Sequence, residues 1–176
     1  DDSDSSDSWT ISCTTCPSWL SISHTAGAST ATLSGTPLNA NVGDNSVVIS
    51  VADAASATGT QSFTIAVANA NDAPTITSTA VTAATEDTAY TYTVTTSDAD
   101  SGDTVTLTGT TVPSWATFTA STGVLTGTPL DANVGDNSVV ITASDGNGGS
   151  VTDTFTIVVA NTNDAPAVSS TAVTSA

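Results

Sequence analysis

The stretch Leu33 to Ser50 (LSGTPLNANVGDNSVVIS) returns 92 residues later as Leu125 to Thr142 (LTGTPLDANVGDNSVVIT), with fifteen of eighteen positions identical. The correspondence resumes at Phe63–Pro74 (FTIAVANANDAP) against Phe155–Pro166 (FTIVVANTNDAP) at the same offset. A repeat this long means one supersecondary unit copied along the chain, so function is expected in the array rather than in a single pocket. The ends are out of phase with the repeat. Asp1–Pro17 aligns with Ser97–Pro113, in mid-repeat, and Pro166–Ala176 aligns with Pro74–Ala84, where a repeat opens. The expected organisation is an incomplete repeat over 1–72, a fuller one over 73–164, and an opening segment or donor strand over 165–176.

The fuller repeat reads as strands throughout. Tyr90-Thr-Tyr-Thr-Val94 alternates apolar and polar residues, the period of a strand with one buried face, and Val105 with Leu107 does the same. Ser121-Thr-Gly123 and Asp145-Gly-Asn-Gly-Gly149 are turn signals, and Val139, Ile141, Phe155, Ile157 and Val159 supply inward-facing pairs. No segment sustains a helical period, and the abundance of Thr and Val suits a pleated, half-buried surface. The fold is expected to be all-β: two tandem Ig-like sandwiches of about seven strands each. The first lacks its opening strand, because nothing before Asp1 corresponds to Thr85–Thr96. Trp19, Trp115 and Trp9 are expected in the cores.

Charge narrows the partners. The chain holds seventeen acids and no Lys or Arg, for a net charge of −17. Nucleic acid is excluded, since a phosphate backbone is bound by cationic side chains. An anionic membrane surface is disfavoured for the same reason, and no apolar run is long enough to span a bilayer. Hard divalent cations, calcium above all, are the natural partners of Asp-rich loops. The alternative is that the acids serve solubility alone. The run Asp1-Asp-Ser-Asp-Ser-Ser-Asp7 has an Asp-x-Asp rhythm but lacks the Gly and Glu of an EF-hand.

Cys13 and Cys16 are the only cysteines. Their strand-like, acidic context offers no positive charge to activate a thiol. A disulfide closing a tight turn is expected, with an inter-chain bond as the alternative. His24, the only histidine, falls in a four-residue insertion and reads as a surface-loop residue without a nucleophile beside it. The chain is not expected to be an enzyme.

A string of motifs carries a resemblance: Glu86, Ser97-Asp-Ala-Asp100, Thr122-Gly-Val-Leu125, Leu130-Asp-Ala-Asn133, Ile141-Thr-Ala-Ser-Asp145-Gly and Asn161-Thr-Asn-Asp-Ala-Pro166. Their order and spacing resemble the cadherin repeat, in particular the dystroglycan-type cadherin-like and Putative-Ig repeats of bacterial and archaeal surface proteins. In that family calcium sits where consecutive repeats meet. The resemblance implies ligands at Glu86, Asp131, Asn163 and Asp164 on one side of a junction, and Asp98, Asp100 and Asp145 on the other, with Asn71 and Asp72 from the preceding linker. Asp2, Asp4 and Asp53 would stand in the corresponding positions of a following copy. The family's Asp-Arg-Glu is Asp131-Ala-Asn133 here and Asn39-Ala-Asn41 in the first repeat, a loss of one and of two carboxylates.

These readings converge on a secreted or surface-displayed structural rod or filament stiffened by calcium. Its partners would be neighbouring repeats of a longer chain, or copies of itself joined head to tail by β-strand addition. The alternative is an adhesin module that binds carbohydrate or protein, which would need exposed aromatic rings.

Overall fold

The computed structural model describes residues 8–171. Strands are its regular structure, with 3₁₀ turns at Asn39–Asn41 and Asp131–Asn133 and no α-helix among the described residues. The chain divides into two compact units between Ala70 and Asn71.

The first unit holds β1 (Thr10–Thr15), β2 (Leu20–His24), β3 (Ala31–Gly35), β4 (Gly43–Ala52) and β5 (Thr58–Val67). Strands β1, β4 and β5 form one antiparallel sheet with β4 in the centre, and β2 with β3 forms a hairpin. The second unit holds β6 (Thr75–Ile76), β7 (Ala83–Thr85), β8 (Tyr90–Thr93), β9 (Thr96–Ser97), β10 (Thr106–Thr111), β11 (Ala116–Thr119), β12 (Val124–Gly127), β13 (Gly135–Ser144) and β14 (Ser150–Ala160). One sheet runs β10-β13-β14-β7 and the other β11-β12-β8, while β6 pairs with β9. The strand β7 lies parallel to the end of β14, with Ala83 opposite Val158 and Ala84 opposite Val159. This is an all-β Ig-like sandwich.

Sequence repetition becomes structural repetition. Strands β1 to β5 correspond to β10 to β14, and even the irregularities recur. The β1–β4 ladder bulges between Cys13 and Thr15, the β10–β13 ladder between Gly109 and Thr111. At the second bulge, a methyl on Gly109 would meet Val112 Cγ2 at 2.8 Å, so glycine there makes room for the valine. At the first, Cys13 and Cys16 take the positions of Gly109 and Val112 and are joined by a disulfide, with Cα atoms 5.8 Å apart.

The second unit buries its core between the two sheets. Tyr90, Tyr92, Val94 and Leu125 from one side meet Val139, Ile141, Ile157 and Val159 from the other. Trp115 is half-buried rather than enclosed. Its ring stands edge-on to Tyr90 with centroids 5.6 Å apart, and its indole N–H donates to Asn137 Oδ1 at 2.9 Å. Trp19 makes the matching bond to Asn45 Oδ1 at 3.1 Å. None of the eight aromatic rings in the chain is exposed.

His24 departs from expectation. It is the last residue of β2, half-buried, with Nδ1 3.2 Å from the Thr30 carbonyl oxygen and Nε2 3.1 Å from that of Trp9. The insertion lengthens the β2–β3 hairpin instead of forming a free loop, which places the ring against main-chain carbonyls.

Candidate metal centres

Two groups of carboxylates gather in the second unit, one at each end of β14. That strand has eleven residues, so roughly 35 Å of extended chain separates them.

The first group lies at the C-terminal end of β14. Oxygens of Glu86, Asp87, Asp131 and Asp164 all come within 4.8 Å of one another. Glu86 follows β7, and its N–H donates to the Ala160 carbonyl at 3.0 Å. The side chain is 1% exposed. Its Oε1 accepts from the Thr162 N–H at 2.9 Å, and its Oε2 is buried with no hydrogen-bond partner. Asp87 takes a positive φ of 60°, and its N–H donates to the Pro129 carbonyl at 2.9 Å, which ties this turn to the segment carrying Asp131. Asn133 does not turn toward the group. Its Oδ1 accepts from the Leu130 N–H at 2.9 Å and closes its own 3₁₀ turn. Asn163 is exposed and donates its amide to the Asp164 carbonyl at 3.3 Å.

The second group lies at the N-terminal end of β14. Asp98, Asp103 and Asp145 bring oxygens within 4.8 Å of one another. Asp145 occupies the β13–β14 hairpin turn and is held from several directions. Its Oδ1 accepts from the N–H of Asn147 at 2.7 Å and of Gly149 at 3.0 Å, and its Oδ2 accepts the Asn71 amide at 2.9 Å. The Asn71 amide, ahead of those backbone donors, holds the Asp145 carboxyl below its ordinary value of 3.8. A side chain at Gly149 would run into this carboxylate and into Ala73 Cα, so the turn admits only glycine there. Asp100 is 5% exposed; its N–H donates to Asp98 Oδ1 at 2.9 Å and its Oδ2 accepts from the Asp72 N–H at 2.6 Å. Its Oδ1 and Asp98 Oδ2 are buried without partners. Asp103 accepts from the Asn147 amide at 2.9 Å.

Of the twelve residues singled out as ligands, Glu86, Asp131 and Asp164 thus come together at one end, and Asp98, Asp100 and Asp145 at the other with Asn71 and the Asp72 backbone. Asp53 sits in the β4–β5 turn, where its Oδ1 accepts from the Ala57 N–H at 2.8 Å. Among the described residues it has no acidic group gathered around it. Asp2 and Asp4 lie outside the described residues. Asp87 and Asp103 were not anticipated. The spacing Asp98-x-Asp100-x-x-Asp103 and the adjacency of Asp87 to Glu86 were the available signals.

A buried carboxylate oxygen without a donor is costly, and these groups also crowd like charges. A hard cation removes both penalties, and the all-oxygen donor set suits calcium better than a thiolate- or imidazole-seeking metal. With no Lys or Arg in the sequence, no long cationic side chain can do the same.

Residues 1–68 and 73–160 match the profile of a family described as the Putative Ig domain. The chain belongs to that family. These Ig-like repeats also superimpose on solved cadherin domains. The extracellular cadherin domains 1–5 of protocadherin gamma B2 match with a TM-score of 0.62 at 16% identity, over 89% of this chain and 34% of that one. A protocadherin gamma B7 domain 3–6 cis-dimer matches at 0.57 and 17%, over 86% and 40%. An endo-fucoidan hydrolase of glycoside hydrolase family 107 shares 30% identity over 88% of this chain and 24% of its own, with a TM-score of only 0.46. The chain thus spans about a quarter of that hydrolase and less than half of either protocadherin chain. No curated protein matches it. No helix among the described residues is long and apolar enough to cross a membrane.

Proposed function

We propose that these Ig-like repeats are structural modules of an extracellular rod or filament, with calcium at the ends of the repeats locking successive modules in line. The observation that carries the reading is the set of three buried, partnerless carboxylate oxygens, on Glu86, Asp98 and Asp100, divided between the two ends of the second unit. Each acidic end of the second unit can share an ion with a neighbouring module in the array, supplied by the same chain or by another copy. Asp2, Asp4 and Asp53 are the acids a following first unit would bring to Glu86 and Asp131. Bound calcium would neutralise the repulsion and stiffen the joint.

Among the structural neighbours, the protocadherin gamma B2 cadherin domains are extracellular, and the protocadherin gamma B7 structure is a cis-dimer. Both fit a surface rod that associates with its own kind. A carbohydrate-binding adhesin has no observation in its favour, since a sugar-stacking site needs an exposed ring and none is present. The reading is tested by calorimetric calcium titration of the wild-type chain and of Glu86→Gln and Asp100→Asn. Binding lost in parallel with each substitution supports it. Heats indistinguishable from buffer would overturn it.

A further inference from the structure

Strand β14 is paired along one side and only near its end on the other. Residues Ser150 to Val159 lie opposite β13, whereas β7 meets β14 only at Val158, Val159 and Ala160. Main-chain groups of successive residues point to opposite sides of a strand. The Val158 N–H donates to the Thr82 carbonyl at 2.9 Å, on the side of β7. Thr152, Thr154 and Thr156 therefore direct their N–H and C=O groups to that same side. Among the described residues no strand pairs with them there.

This open edge borders a groove of about 380 Å³ within the second unit. Ile76, Ala80 and Val151 give it apolar walls, Thr75 and Ser78 add hydroxyls, and Asp153 adds a carboxylate. Asp153 breaks the pattern of its strand. Phe155, Ile157 and Val159, at the same two-residue spacing along β14, pack in the core. Asp153 is half-buried, belongs to neither carboxylate group, and stands where the first unit has Gln61. The sequence holds no Lys or Arg to pair with it.

An inward charge on a strand edge can serve only to keep other strands away. Here, however, the charge lies in a groove that fits one long cationic side chain. The aliphatic stem would lie along Ile76, Ala80 and Val151, and the head would meet the carboxylate. We propose that the second unit binds an extended, lysine- or arginine-bearing segment of another protein by strand addition to the β14 edge at Thr152–Thr156, with the basic side chain held in the groove by Asp153. Main-chain bonds supply affinity and the groove supplies selection. The partner is a different protein, because this chain has no Lys or Arg to offer. The contact lies on the flank of a repeat and uses none of the calcium sites, so this reading and the calcium reading stand or fall separately.

The probe is the peptide Thr-Val-Thr-Lys-Thr-Val-Thr, acetylated and amidated, added to the full-length chain with and without calcium. Calorimetry reads the affinity and amide hydrogen exchange reads the edge. The expected result is binding that slows exchange at Thr152, Thr154 and Thr156. Asp153→Asn, or norleucine in place of the peptide's lysine, should each weaken binding on the order of tenfold through loss of the charge pair. Asp136→Asn removes an exposed acid that does not line the groove and should leave the affinity unchanged. Full affinity in Asp153→Asn would mean that the carboxylate only guards the edge, and overturns the proposal. Equal weakening by Asp136→Asn overturns it too, since general charge attraction would then account for the binding. So does an absence of binding, or binding that leaves exchange at the three threonines as fast as before.

Discussion

Glu86 is the chain's only glutamate and is almost wholly enclosed, with one oxygen bonded to the Thr162 N–H and the other to nothing. Removing its charge should have opposite effects in the two metal states. In chelator, Glu86→Gln is expected to raise the melting temperature of the second unit by several degrees, because an uncompensated buried charge is gone. In millimolar calcium the same variant should melt below wild type, and thermal melts in both buffers check the crossing. Asp145 behaves differently because its hydrogen bonds favour the ionised form. Its carboxyl titrates below 3.8 in the folded chain, so its contribution to stability is fully present above that value and lost as pH falls through the lowered one. Asp145→Asn should flatten the acid limb of the stability curve there. Gly149→Ala, which pushes a methyl into Asp145 and Ala73, is expected to cost about 1–3 kcal/mol by chemical denaturation. The motif positions Asp98, Asp100 and Asp145 were picked out in sequence by the resemblance to the cadherin repeat. Asp87 and Asp103 were not, because they reach the groups through backbone turns whose path no periodicity reveals.

At the scale of strands, the repeat and the alternation of apolar residues carry most of the architecture. Tyr90 and Tyr92 face inward where the alternation puts them, and the turns at Ser121–Gly123 and Asp145–Gly149 join the strands they were expected to join. The parallel pairing of β7 with β14 was not readable, since β7 is three residues long and its partner lies more than 70 positions away. Tyr90 allows a test at this level. Burial, with Tyr92 adding to it, pushes its phenol from 10.0 up to about 12, and the neutral hydroxyl donates to the Val81 carbonyl at 2.7 Å. A raised value stabilises the fold below pH 10, and that contribution is lost as pH rises through about 12. Tyr90→Phe should remove the alkaline limb, read by circular dichroism. The two copies of one strand give a second test. Leu125→Ala opens a cavity in an enclosed core and is expected to cost about 2–5 kcal/mol, with Leu33→Ala costing distinctly less.

Across the whole chain, the acidity and the repetition become one design. The second unit is a small sandwich with a group of carboxylates at each end and no Lys or Arg in the sequence to neutralise them, which is why the proposed array takes up cations from solution. Sequence alone led to the expectation of a cation, with solubility as the alternative role for the acids. The sequence already set the two repeats apart, with Asn39 in the first where the second has Asp131, and among the described residues the second unit gathers acids at both ends while the first gathers none. The most direct measurement is differential scanning calorimetry of the intact chain in chelator and in calcium well above its dissociation constant. Ligand linkage at a hundredfold excess contributes about 2.7 kcal/mol per site. The transition of the second unit should therefore rise by on the order of 10 °C, while that of the first moves far less. Superimposable transitions in the two buffers would contradict the account.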